Sequence, residues 1–223
     1  MKASCVLFVL LVGSVVFAQT APPDNPQPEK ERSRLHGFMR TPPLSYAKDA
    51  PPMTPGEKFL LFATNTANPY SILSAAASAG ISQAEDNFAA YGQGAEGYGK
   101  RFGAAYADGA STEFFGTFLF PSLLRTDPRF FRMQTGGFGH RAGYAITRIF
   151  ITRTDSHRSV PNVPLWMAAV ASGGLANTYY PESERTVEQT FSRAGISIGS
   201  QAGFNLLKEF WPDIKKKFSR HNH

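Results

Sequence analysis

The sequence predicts a mainly α-helical protein, a single helical bundle with glycine-mediated close helix packing, preceded by a signal peptide and a disordered proline-rich segment. Three observations predict it. Apolar side chains recur at helical intervals over most of the chain beyond residue 56, capping residues mark the helix starts, and glycines stand four apart inside the helical stretches.

The leader comes first. Lys2 supplies a positive start, an apolar run follows from Cys5 to Phe17, and Val16-Phe17-Ala18 offers small residues where a signal peptidase reads, so cleavage is expected before Gln19. The run is shorter than the roughly 20 residues that a bilayer-spanning helix needs. Export to the periplasm or cell envelope is therefore the expected localisation. Cys5 is the single cysteine, so the chain after the leader has no disulfide and no thiolate ligand. Residues 19–56 hold nine of the sixteen prolines and read as a linker, since each proline removes a donor and biases its predecessor away from the helix. The expected organisation is a signal peptide over 1–18, a linker over 19–56, one helical domain over 57–218 and a flexible tail over 219–223.

Within the domain, Thr54-Pro55-Gly56-Glu57 joins a capping threonine to a glutamate three residues on, and Phe59, Phe62, Ala63 and Thr66 follow at helical spacing. Pro69 ends or kinks that helix and opens a second through Ile72, Leu73, Ala76 and Ala77 to Gly80. Ser82, with Glu85 behind it, is expected to cap a third helix whose face carries Phe88, Tyr91, Tyr98, Phe102 and Tyr106. Residues 112–124 are almost uncharged and broken by Pro121. Later helices are expected over 138–152, 164–178 and 186–210, with Pro181 and Pro212 as punctuation. Residues 144–154 are rich in β-branched side chains and fit a strand too. They are assigned to helix because Arg141, Tyr144 and Arg148 share one face while Ala142, Ala145 and Ile149 share another.

Gly99 with Gly103, Gly139 with Gly143, and Gly195 with Gly199 and Gly203 repeat a four-residue interval that stacks glycine on one helix face. Each costs a helix about 1 kcal/mol relative to alanine. The expectation is that these glycines let helix axes approach, in a soluble bundle or at a membrane, and support helix-mediated self-association.

The formal net charge of +6, less that of Lys2, leaves +5 after the leader. Arg125, Arg129, Arg132, Arg141, Arg148, Arg153 and Arg158 cluster against only Asp127 and Asp155. Guanidinium suits phosphate, so Arg129, Arg132, Arg141 and Arg148, with Trp211, Lys215, Lys216 and Lys217, are the expected contacts for an anionic lipid or envelope glycolipid. The alternative reading pairs these arginines with Asp127, Glu96, Asp108 or Glu113. Nucleic acid is not an expected partner, because no base-reading motif accompanies the charge.

No HExxH, Walker, nucleophile-elbow or EF-hand pattern occurs. The residual catalytic candidates are His140 with Glu96, Asp108 and Glu113, whose spacing does not place the three carboxylates on one helix face. Asn177, Tyr179 and Tyr180 read as a helix stop, or as the wall of a ligand pocket. No cofactor or metal is expected. The expected function is an exported, structural or membrane-associated protein without catalysis; the alternatives are a small exported hydrolase or metal-dependent enzyme using His140, and an outer-membrane β-barrel.

Overall fold

The computed structural model describes residues 50–219, so the leader, linker residues 19–49 and tail residues 220–223 lie outside the described residues. Helix α1 (Pro55–Thr66) begins where the capping box requires: Thr54 Oγ1 accepts from the Glu57 N–H at 3.3 Å, and the Glu57 carboxylate accepts from the Thr54 N–H at 2.8 Å. Asn68 then caps α2 (Pro69–Ala84) by accepting from the Tyr70 N–H. α2 runs straight through Ser82, which caps nothing. The break falls at Asp86 and Phe88, both in the left-handed region, and is followed by a 3₁₀ turn (Ala89–Tyr91).

Helix α3 (Gly94–Glu113) continues without interruption into a π-helical stretch (Phe114–Leu119) and one last α turn (Phe120–Leu123). There the Phe120 N–H donates to the carbonyl of Phe115, five residues back, and Pro121 has no N–H for the α-helical bond to residue 117. The widened turn seats Phe114 and Phe118 against Phe62 and Phe59 of α1, with ring centroids 5.5 and 5.2 Å apart.

Helix α4 (Phe138–Thr147) is shorter than expected. The chain leaves it and forms a three-stranded antiparallel sheet, ordered β1 (Thr126–Asp127), β2 (Ile151–Thr154), β3 (Ser159–Pro161), with Thr126 opposite Thr154 and Thr152 opposite Val160. The helical assignment of residues 148–154 is thus corrected. β-branched side chains favour strand, and the pairing partners that decide the matter lie well away in sequence. Helices α5 (Val163–Ala176) and α6 (Val187–Ser219) complete the bundle, and α6 passes through Pro212 instead of ending at Phe210.

These six helices form a mainly α bundle in which α3 packs on α2 and α5, and α6 packs on α4 and α5. Its interior is made largely of small and polar groups, with Phe130, Phe131, Ile149 and Tyr180 as its larger apolar side chains. Ala75, Ala79, Ala104, Ala145, Ala168, Ala169, Ala176 and Ala194 are buried with Lys58, Arg101, Asn205 and Glu209, whereas Trp166, Met167, Val170, Leu73 and Phe191 are exposed.

The expected glycine packing is overturned. A Cβ built at Gly99, Gly103, Gly139, Gly143, Gly195, Gly199 or Gly203 meets nothing within 4 Å beyond its own helix, so none of these glycines brings two helices together. Close approach occurs elsewhere. A Cβ at Gly173 of α5 would lie 2.8 Å from the Thr190 carbonyl oxygen of α6, and one at Gly97 would overlap the Gly92 carbonyl. Four-residue spacing aligns glycines on a face, but it does not say which face is turned inward. The reading of a membrane-associated, glycine-zippered bundle falls with it: among the described residues no helix is long and apolar enough to cross a membrane. Nor do the three short strands make a barrel, which needs strands of about ten residues closed on themselves.

Candidate functional site

The four catalytic candidates each have separate surroundings. Glu96 is exposed and pairs with Lys100 at 2.6 Å, and the lysine's hydrogen bond and charge hold its carboxyl below the usual range. Glu113 accepts from Asn65 Nδ2 at 3.0 Å and Thr117 Oγ1 at 2.8 Å. Beside it, burial pushes the Lys208 amine down while the Glu113 charge opposes that shift. His140 is exposed on the first turn of α4, with its ring near Gly136. Asp108 faces the turn that follows α5 and Arg193 of α6. No group of three or more His, Cys, Asp or Glu side chains is placed to hold a metal among the described residues.

Of the four arginines expected to meet a ligand, Arg129 and Arg141 are held by carboxylates of the same chain. Arg129 donates through Nε and Nη2 to Asp127, and through Nη2 to the Pro51 carbonyl. Arg141 donates to Glu209 Oε1 at 2.9 Å, to Asp213 Oδ2 at 2.6 Å and to the Glu209 carbonyl at 2.8 Å. Arg148 lies over the Tyr144 ring, 5.1 Å from its centroid, and its Nε is buried without a hydrogen-bond partner, as is Nε of Arg132. Trp211 is half-buried, and Lys215, Lys216 and Lys217 are exposed. Of the alternative pairings, Asp127 with Arg129 is the one that forms; Glu96 and Asp108 take other partners.

The convergence that does occur centres on Asp108. Its Oδ1 accepts from Tyr179 Oη at 2.5 Å and its Oδ2 from Tyr180 Oη at 2.7 Å. The tyrosines are held there because α5 stops: Asn177 follows its last turn, the N–H groups of Tyr179 and Tyr180 still bond to the Ala176 carbonyl, and Pro181 cannot continue the helix. Arg193 of α6 braces the turn, donating to Asn177 Oδ1 at 3.0 Å and to the Glu184 carbonyl at 2.7 Å, with its guanidinium 4.2 Å from the Tyr180 ring centroid. From the other side Tyr91 donates its hydroxyl to the Tyr179 carbonyl at 2.8 Å.

Arg101 makes the neighbouring loop possible. It is buried, and it donates to the carbonyls of Asn87 and Gly92 at 2.9 and 2.6 Å, oxygens that the left-handed turns leave outside any helix, and at 3.3 Å to that of Phe88, which also accepts from the Tyr91 N–H. Gly97 beneath it has no room for a side chain. Sequence reading missed both Arg101 and Arg193. The available signal was a lone guanidinium within an otherwise small or apolar helix face.

Burial pushes the Asp108 carboxyl above its usual range, partly offset by the two phenol hydrogen bonds and by Arg193. Burial, with the hydrogen bond and charge of Asp108, pushes both phenols up. Both tyrosine protons are thus held on oxygen, and both carboxyl oxygens are occupied. In this arrangement Asp108 organises the tyrosines, each of its oxygens accepting one phenol hydrogen bond.

An open groove of about 710 Å³ lies on the outer side of this cluster, lined by Tyr91, Lys100, Tyr179, Tyr180, Pro181 and Arg185 among others. Since the three hydroxyls are engaged with the protein, the groove offers ring and proline surfaces rimmed by Arg185, by Glu182 and by Lys100, the last paired with Glu96. A smaller cavity of about 40 Å³ lies behind it between Ser78, Ser82, Arg101 and Tyr180. Comparison with protein-family models, with curated proteins and with solved structures finds no match to this chain.

Proposed function

We propose that this chain is an exported structural protein without catalysis, and that its helical domain works by associating with a second copy of itself. The observation that carries the reading is the orientation of α5. This helix contains no charged residue; it buries Pro164, Ala168, Ala169, Ser172, Gly173 and Ala176 and exposes Val163, Trp166, Met167, Val170 and Leu175. Trp166 is fixed at the surface by its Nε1, which donates to the Ile149 carbonyl at 2.9 Å, and the exposed Phe150 ring stands 5.9 Å from it. Covering apolar surface stabilises by about 25 cal/mol per Å². An uncharged stripe is self-complementary, since two copies related by a twofold axis meet with no charge left unmatched. The scattering of His140, Glu96 and Glu113, and the engagement of both Asp108 oxygens with Tyr179 and Tyr180, favour this reading over a hydrolase.

Analytical ultracentrifugation of the full chain tests it. Concentration-dependent dimerisation is expected, with Trp166→Glu weakening it by about thirtyfold, the ~2 kcal/mol effect of a buried aromatic anchor. A protein that stays monomeric at the highest concentration reached refutes the assembly. Export is tested separately by cell fractionation, where confinement of the mature protein to the cytosol refutes it.

A further inference from the structure

We propose that the groove beside Asp108 is a polyproline-binding site, and that its occupant is the acidic proline-rich stretch of this same chain, residues 21–29. The groove has the surface that such a ligand needs. Tyr91, Tyr179 and Tyr180 line it with Pro181, their hydroxyls drawn inward to the Tyr179 carbonyl and the Asp108 carboxyl. Aromatic-lined grooves take left-handed proline helices because the ligand is already extended and loses little entropy on binding. The cluster behind the groove keeps it open. Arg193 braces Tyr180, and Tyr91 is tied to the Tyr179 backbone, so the walls are set before any ligand arrives.

The choice of occupant follows from pattern, charge and reach. Residues 21–29 read Ala-Pro-Pro-Asp-Asn-Pro-Gln-Pro-Glu, with Asp24 and Glu29 as their only charged side chains. A polyproline helix has three residues per turn, which puts Pro23, Pro26 and Glu29 along one edge and Pro22 and Pro28 along the next. The groove rim carries Lys100, already paired with Glu96, together with Glu182 and Arg185, and Arg185 spends only its Nε on the Tyr180 carbonyl, at 2.7 Å, which leaves the rest of its guanidinium for a carboxylate. Prolines on the rings and Glu29 at Arg185 is the complementary arrangement. The chain enters the described domain at the sheet, where the Pro51 carbonyl accepts from Arg129. Pro51 follows Pro28 by 23 residues, which span up to about 70 Å when extended at roughly 3.1 Å each. The 33 residues of α6, the longest helix described, measure about 50 Å. The stretch therefore reaches either end of the bundle.

Photo-crosslinking of the full chain tests the inference. With p-benzoylphenylalanine placed at position 25, irradiation is expected to give crosslinks within one chain to the segments around Tyr91 and Tyr179 to Pro181. Arg185→Glu is expected to lower that yield by about fivefold, the size of one lost charge pair of ~1 kcal/mol. Glu29→Arg in the Arg185→Glu background is expected to restore it. Circular dichroism of each variant confirms that the helices are intact, and Lys100→Glu provides a second rim variant. Crosslinks scattered over other faces, crosslinks joining two copies, or a yield indifferent to both rim variants would each overturn the inference.

Discussion

Two acidic side chains turned toward the interior of this bundle meet opposite fates. Glu209 is fully buried and surrounded by donors: the backbone N–H groups of Met133 and Gln134 at 2.9 and 3.2 Å, and Arg141 Nε at 2.9 Å. Asp108 meets two neutral phenols, and its nearest cation, Arg193, is turned toward Asn177, Glu184 and the Tyr180 ring. The difference lies in what each carboxyl holds together. Glu209 fastens α6 to the segment before α4, next to the turn where Pro212 removes the donor for the Lys208 carbonyl; Arg141 reaches the adjacent Glu209 carbonyl and tightens that interrupted turn. Asp108 positions two aromatic rings beside a groove. One carboxyl is an ionic staple, the other an organiser of a surface.

Breaking the staple should therefore have the largest effect. Glu209→Gln keeps the shape, removes the charge, and leaves Arg141 facing an amide while turning an NH₂ toward donors. A loss of about 3–5 kcal/mol is expected in urea unfolding, as for one partner removed from a buried pair. A loss below about 1 kcal/mol would erase the contrast with Asp108. Lys58→Met should rank second. The Lys58 amine is buried on both Asp155 oxygens at 2.9 and 3.0 Å and on the Pro121 carbonyl, yet Asp155 is 26% exposed and can rehydrate when abandoned. The expected cost is about 1–3 kcal/mol.

The Asp108 end should respond to pH instead. Its folded carboxyl titrates above the ordinary 3.8 because burial disfavours the charged form. The associated stability is fully present below 3.8, where both folded and unfolded chains hold the proton, and is lost as pH rises through the folded value. Asp108→Asn removes that dependence while leaving an acceptor for one tyrosine. Unfolding free energies of the two proteins, compared from pH 4 upward, should thus show a wild-type decline that the variant lacks. Parallel curves would place Asp108 with the ordinary surface carboxylates.

How much of this was legible depended on how local each cause is. The capping box at Thr54 and the restart at Pro69 involve neighbours in sequence, and both appear as read. The strand at Ile151–Thr154 needs Thr126, Asp127 and Val160 as partners, and no helical periodicity displays them. Pro212 reads as a stop, yet α6 continues past it where Arg141, 72 residues from Asp213 and far from it in sequence, anchors the turn. The bond from Tyr179 to Asp108 spans 71 residues. The tyrosines were visible as a helix stop or pocket wall and Asp108 as an acid, but nothing in their spacing joined them.

The glycines, which end on the smallest effect, sharpen the comparison because one of them supports the Asp108 end. Gly97 lies under the Gly92 carbonyl that Arg101 binds, so Gly97→Ala must displace backbone, and a loss of about 1–3 kcal/mol is expected from that overpacking. Gly173→Ala meets the Thr190 carbonyl oxygen at 2.8 Å and should separate α5 from α6 at similar cost. Gly199→Ala should do the opposite. Its site is exposed in mid-helix with nothing within 4 Å, so alanine restricts the unfolded chain and improves helix propensity without a clash. A gain of about 0.5–1 kcal/mol is expected by urea unfolding at low protein concentration, where association does not contribute. A loss at Gly199 instead would mean that its face is covered after all, and would return the four-residue glycine spacing to a packing role.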